Sequence, residues 1–255
     1  MITDNSTVYA KPATLQTIWL IARRQMVDAM RDRSTLIMTG FFLVLQAGLI
    51  LFSLSGSLRG HIAPREAAAV GGIMAFFLLY AGLIPSAPAI GIASGVFAGD
   101  KERGCLTPIL VTPASNVEIF VGKILGAVLP AILYAMLSIV LYFVEIALFF
   151  GADKLQLLPV PLTIMIILLI PAITLFGTAL ASVISSRVAT FQSAQNYSSL
   201  IATVLWVVLF VLIWTVSTLG MWAFATAVIV VYALAVTLVV VAATTWRREE
   251  IMARQ

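Results

Sequence analysis

Six long apolar runs dominate this chain and leave it few possible folds. They extend over roughly Ser34–Ser55, Val70–Phe97, Phe120–Phe150, Val160–Ile184, Tyr197–Val216 and Met221–Thr245. A helix needs about 20 mostly apolar residues to cross a hydrocarbon layer, and each run meets that length. A transmembrane β-barrel would show short segments of alternating polarity instead. The sequence therefore predicts an all-α membrane protein with about six transmembrane helices. Composition opposes a soluble fold. Of 255 residues, 62% are hydrophobic and 10% charged, whereas a soluble domain carries about 25% charged residues. The first run starts after more than 30 residues and has full span length. It lacks a small-residue cleavage pattern, so it is expected to stay in the mature protein.

Basic residues orient the spans. Assigning the intervening loops alternately to two sides puts Lys11, Arg23, Arg24, Arg31, Arg33, Lys101, Arg103, Lys123, Arg187, Arg247, Arg248 and Arg254 on one side. Arg59, Arg65 and Lys154 fall on the other, a split of 12 against 3. Short cytoplasmic loops are enriched in Lys and Arg. The richer side is thus expected inside, with both termini cytoplasmic. The net charge of +4 has the same explanation and gives no reason to expect nucleic-acid binding.

Residues 1–33 form an N-terminal segment whose latter part has helical periodicity. Leu15, Ile18, Trp19, Ala22, Met26 and Met30 recur on one face, and Arg23, Arg24, Asp28, Arg31 and Asp32 occupy the other. An amphipathic helix lying in the membrane interface fits this pattern. A cytoplasmic helix packed on a partner protein fits it too, and the two readings are compatible. In the second span, Gly91, Gly95 and Gly99 line one helix face, a spacing that lets helices approach closely in lipid. Pro85 and Pro88 should bend or weaken that span near its middle. The third span carries Glu145, an acid near its external end. Glu145 is either a wet interface residue or part of a substrate path.

Several chemistries are missing. The interiors of the predicted spans contain no His, Cys, Lys, Arg or Asp, so paired carboxylates or a nucleophile–base pair cannot be assembled there. His61 is the single histidine and reads as a solvated loop residue; Cys105 is the single cysteine. Neither a metal cluster nor an intrachain disulfide can be built from them. No G-x-x-x-x-G-K-[ST] loop occurs, since Gly122-Lys123 is followed by Ile124. The sequence therefore predicts no enzyme site, and no cofactor bound by this chain. If ATP drives the protein, ATP-Mg is bound and hydrolysed on a partner subunit.

One loop carries a family signature. Residues 98–118 join spans two and three and include Gly99-Asp100-Lys101-Glu102-Arg103-Gly104-Cys105-Leu106, then Ile109-Leu110 and Pro113, with Gly122-Lys123 beyond. This pattern resembles the permease subunits of type-2 ATP-binding-cassette (ABC) exporters, in which an acidic residue precedes Glu-Arg-Gly-Thr-Leu, a Pro and a helix opening that ends in Gly-Lys. Cys105 stands where the family usually has Thr. The segment through Arg31-Asp32-Arg33 and the segment from Ser185-Ser186-Arg187 to Ala194-Gln195 are similar to their family counterparts. The resemblance covers essentially the whole chain, residues 1–255, as one permease domain of a compact six-span member.

The resemblance implies a homodimer, or a heterodimer with a related permease, in a lipid membrane above two copies of an ABC ATPase subunit. It implies a prokaryotic cell membrane. It also implies that the 98–118 loop is a coupling element docking on the ATPase, with Asp100, Glu102, Arg103, Gly104, Leu106 and Pro113 as its residues. Local chemistry suits that role, because Gly104 permits a sharp turn and Pro108 and Pro113 bound a short apolar segment. Gln46, Glu145, Asn196 and Ser199 are candidate substrate-path residues, with Ser198 beside them; helix-to-helix hydrogen bonding is the competing role. An ATP-independent channel or secondary transporter and a membrane scaffold remain open as alternatives, and the cargo is not legible.

Overall fold

The computed structural model describes residues 14–58, 60, 62–84, 87–104, 112, 114–188, 190–200, 203, 204, 207, 211 and 220–245. Its regular elements are helical: α1 (Thr14–Arg31), α2 (Arg33–Leu58), α3 (Ala67–Leu83), α4 (Ala87–Glu102), α5 (Asn116–Phe149), α6 (Val160–Arg187) and α7 (Met221–Thr245). A 3-10 turn, Ala152–Leu157, joins α5 to α6. Residues 191–200 are also helical. Among the described residues no strand occurs, and α2, α5, α6 and α7 are long and apolar enough to cross a membrane.

Hydrogen bonds and buried contacts give the directions. Met74 of α3 meets Tyr142 of α5, Ala81 meets Ser138, and Val96 of α4 meets Lys123. Successive contacts thus move forward along α3 and α4 and backward along α5, so α3 and α4 follow one antiparallel path. Against α6 the order is parallel, from Gly82 beside Ile170 to Ser94 beside Ser185. One apolar cluster unites Leu58, Val70, Ile146, Leu158 and Phe224. A second unites Phe97, Ile119, Phe120, Ala181 and Ala243. They lie toward opposite ends of the bundle, and α1 packs at the end of the second. α6 arrives at the α1 end, where the helix of residues 191–200 begins, and α7 leaves from the far end. The described passes are α2, α3–α4, α5, α6 and α7, which together with the helical residues 191–200 agree with about six spans.

Local chemistry explains the boundaries. Asp32 accepts hydrogen bonds from Thr35 N (2.9 Å) and Thr35 Oγ1 (2.7 Å), capping α2. Ser115 and Glu118 form a reciprocal capping box at the start of α5. The second predicted span is two helices, with α3 ending at Leu83 and α4 beginning at Ala87 around the Pro85 position. A proline there cannot continue the ladder of its predecessor. Pro130 and Pro171 instead sit within continuous helices, which neighbouring helices can support in a bundle.

Close packing is the principal attraction between helices once lipid surrounds them. One tight seam joins α1 to α5 at Gly122 and Gly126. A Cβ on Gly122 would stand 2.9 Å from Ile21 Cβ and 3.0 Å from Ile18 O. One on Gly126 would collide with Gln25 Cβ and reach 2.9 Å from Ala22 O. Gly91 has open space beside it, while Gly95 and Gly99 face the ring of Phe191 rather than another backbone. The protein-facing side of α1 is therefore Ile18, Ile21, Ala22 and Gln25. A separate apolar stripe stays exposed, including Leu15, Met30 and Trp19 at 53%. This stripe lies next to Arg23 around the helix, as a helix at the membrane interface requires. His61 and most of the expected fifth span after residue 200 lie outside the described residues.

Candidate functional site

Three consecutive residues at the end of α4 reach three different parts of the molecule. Asp100 pairs with Lys123 of α5 at 2.5 Å. Lys101 Nζ donates to the carbonyls of Ser186 (2.8 Å) and Val188 (3.2 Å), at the end of α6. Glu102 Oε1 accepts from the backbone N–H of Phe191 (2.8 Å), where the next helix begins. Arg103 lies close enough to Asp32, at the start of α2, to draw its carboxyl downward. Gly104 then turns the chain at φ +65°, a left-handed conformation that suits glycine. Its N–H bonds back to Lys101 O at 3.1 Å.

Two of these contacts, those of Lys101 and Glu102, satisfy groups that a helix end leaves open. The last carbonyls of α6 lack intrahelical donors, and a lysine beside them also suits the helix dipole. The first N–H groups of the helix at residue 191 lack acceptors, and Glu102 supplies one with a negative charge. Thr190 adds another, its Oγ1 accepting from Ser193 N at 3.2 Å. Lys123 is 1% exposed. Its ammonium is held by Asp100, by Val96 O at 2.7 Å and over the Phe97 ring at 4.8 Å. Together these contacts satisfy a cation that burial would otherwise disfavour.

Asp32 sits apart from the spans. Hydrogen bonds from the Thr35 side chain and backbone hold its carboxyl below the ordinary 3.8, and the Arg103 charge adds to the effect. The loop thus makes contact with α5, α6 and the helix at 191 through three side chains, and the Arg103 charge bears on Asp32 at the start of α2. Such a junction can pass a displacement of the loop to several spans together.

Of the coupling residues expected from sequence, Asp100, Glu102, Arg103 and Gly104 belong to this junction. Leu106 and Pro113 lie outside the described residues. Lys101, Lys123 and Ser185 belong to it as well, and the sequence reading assigned them no role. Gly122-Lys123 was visible as a motif, but the partner of Lys123 was not.

Of the candidate path residues, Asn196 and Ser199 are neighbours on one helix, whereas Gln46 and Glu145 sit at different levels of the bundle. Gln46 is 1% exposed. Its side chain meets Ser138 Oγ at 2.7 Å, and Ser138 Oγ is also 2.7 Å from Ala81 O. One hydroxyl carries one proton. Both contacts are therefore satisfied when Ser138 donates to Ala81 O and accepts from a rotated Gln46 amide. Glu145 is half-buried near the far end of α5, and its Oε2 has no hydrogen-bond partner among the described residues. Asn196 and Ser199 share an exposed face, with Ser199 Oγ donating to Asn196 O at 2.7 Å. Ser198 is buried.

An all-helical bundle with about six apolar passes and a charged junction at one end defines a multi-pass membrane protein. Residues 19–224 match the family described as ABC-2 family transporter protein, and the chain belongs to that family. It is therefore a transmembrane subunit of an ABC transporter. Over 114 residues, 44% of this chain, it is 25% identical to the probable ABC transporter permease protein NosY of Pseudomonas aeruginosa. It is 26% identical over the same length to the protein of that name from Stutzerimonas stutzeri. In each case the match spans 39% of the relative's length.

Proposed function

We propose that this chain is the permease of an ATP-driven exporter, working by alternating access with energy from separate ATPase subunits. The observation that carries the reading is the junction of Asp100, Lys101 and Glu102 with three parts of the bundle. A loop so connected suits docking on an ATPase at the α1 end, which is then the cytoplasmic end. ATP-Mg binds on those subunits, and its differential effect on two states of the permease supplies the drive. Two ATPase copies would serve a permease dimer, of like or related chains, in a prokaryotic cell membrane with both termini cytoplasmic. Asp100, Glu102, Arg103, Gly104, Leu106 and Pro113 are the coupling set. Gln46, Glu145, Asn196 and Ser199 are the path candidates.

The test is co-purification in nanodiscs with candidate ATPase subunits, comparing wild type with the double variant Glu102→Ala, Arg103→Ala. The reading expects an ATPase to accompany wild type and to be lost or uncoupled in the variant. Absence of any ATPase from wild type, in several detergents and in nanodiscs, would sink it. Nucleotide-free flux through liposomes would then point to a channel or secondary transporter.

A further inference from the structure

The turn between α6 and the helix at residue 191 is bound to α4 more closely than a passing loop would be. Ser185, near the end of α6, is fully buried. Its Oγ accepts from Ala98 N at 2.9 Å and from Phe97 N at 3.2 Å, and donates to Ser94 O at 2.6 Å. In an undisturbed α-helix the N–H of residue 98 would pair with the carbonyl of residue 94. A hydroxyl of α6 therefore joins the hydrogen-bond ladder of α4, an arrangement that marks a bend in a helix.

Three further contacts close the same joint. Lys101 takes the carbonyls of Ser186 and Val188. Glu102 takes the N–H of Phe191. The Phe191 ring lies over the glycine face of α4, where a Cβ on Gly95 would come within 3.1 Å of the ring and one on Gly99 within 3.9 Å. The glycines leave room for that ring. Independent movement of the loop would break all of these contacts together.

We propose that Ser185, Lys101 and Phe191 are positioning residues that bind the turn at 185–191 to the end of α4. A push on the loop at Asp100–Arg103 then moves the helix starting at residue 191 as its direct output. This inference rests on the transporter reading above. It adds a second mobile element, joined through the chain's own hydrogen bonds rather than through the ATPase. Ser185 acts as the pin, because its hydroxyl both accepts from and donates to the α4 ladder. Its loss need not prevent folding, since Ala98 N–H can then bond Ser94 O directly.

The experiment uses the full chain with its ATPase in nanodiscs, in a Cys105→Thr background. Single cysteines replace the exposed residues Thr112, on the loop, and Gln192, on the following helix; each carries an environment-sensitive fluorophore. Spectra are compared without nucleotide and with magnesium and a slowly hydrolysed ATP analogue. Both probes should respond in the parent. In Ser185→Ala the response at 112 should persist while that at 192 falls about fivefold, as loss of an ordinary hydrogen bond allows. Phe191→Ala should do the same, with ATPase association and thermal midpoint unchanged in both variants. An unchanged response at 192, equal loss at both positions, or a parent responding only at 112 would overturn the inference and leave the transporter reading intact. A parent in which neither probe responds and no ATPase associates would overturn both.

Discussion

Asp100 and Lys123 meet at 2.5 Å, yet their surroundings differ: 2% of the lysine side chain is exposed against 25% of the aspartate. The two single truncations should therefore be unequal. Lys123→Met leaves a carboxylate that can recover water. Asp100→Ala leaves a buried ammonium without its paired carboxylate. Breaking a buried pair from one side costs about 3–5 kcal/mol, and Asp100→Ala should approach the lower figure while Lys123→Met costs less. The double variant Asp100→Ala, Lys123→Met should be more stable than Asp100→Ala alone. Thermal midpoints of the three variants in one detergent decide this, and equal losses from both single variants would exclude the asymmetry.

The α1–α5 seam makes a second prediction. A side chain at position 126 must displace Gln25 and the backbone at Ala22. Gly126→Val should push α1 away and cost about 1–3 kcal/mol, the usual penalty for overpacking. Hydrogen exchange should rise across Thr14–Arg31 and not across α7. Gly91→Ala serves as the control, because nothing lies within 4 Å of a Cβ there. If exchange in α1 is unchanged in Gly126→Val, the seam does not hold the helix.

These contrasts show what was legible in the sequence. Long apolar runs declared the spans because the hydrocarbon layer sets a length that local composition reveals. The break between Leu83 and Ala87 was foreshadowed by Pro85 and Pro88, whose effect is local. The capping box was also within reach, since Ser115-Asn116-Val117-Glu118 is its signature. The junction was different. Glu102 and Phe191 are 89 positions apart, and no periodicity links them. Lys123 resembled a loop lysine until Asp100 and Phe97 were seen to enclose it. Likewise, three glycines in α4 and two in α5 have the same spacing, and only tertiary packing shows which pair admits another backbone.

Gln46 offers a test between a path role and a packing role. Its contact with Ser138 links α2 to α5, and Ser138 also reaches α3. Side-chain hydrogen bonds between membrane helices are worth about 0.6 kcal/mol on average. Ser138→Ala should therefore lower stability by about 1–1.5 kcal/mol, more than that average because Gln46 is left buried without its partner. In a double-mutant cycle, Gln46→Leu combined with Ser138→Ala should cost less than the sum of the single losses. Additive losses in detergent unfolding would detach Gln46 from Ser138 and strengthen its candidacy as a path residue.

The cap on α2 makes a prediction about pH. Asp32 accepts two hydrogen bonds from Thr35, and these hold its carboxyl below the ordinary 3.8. A depressed folded-state value means that the charged form stabilises the fold. That contribution is complete well above pH 3.8 and fades as the pH falls through and below it. Asp32→Ala should cost about 0.5–1 kcal/mol near neutrality, as an exposed cap does. The charge-dependent part is small, because solvent screens so open a site. Asp32→Asn should retain most of the cap while losing the pH dependence. The difference in thermal midpoint between wild type and Asp32→Ala, measured from pH 7 to pH 3, should shrink in the most acidic samples. A constant difference across that range would show that the Asp32 charge adds nothing to the cap.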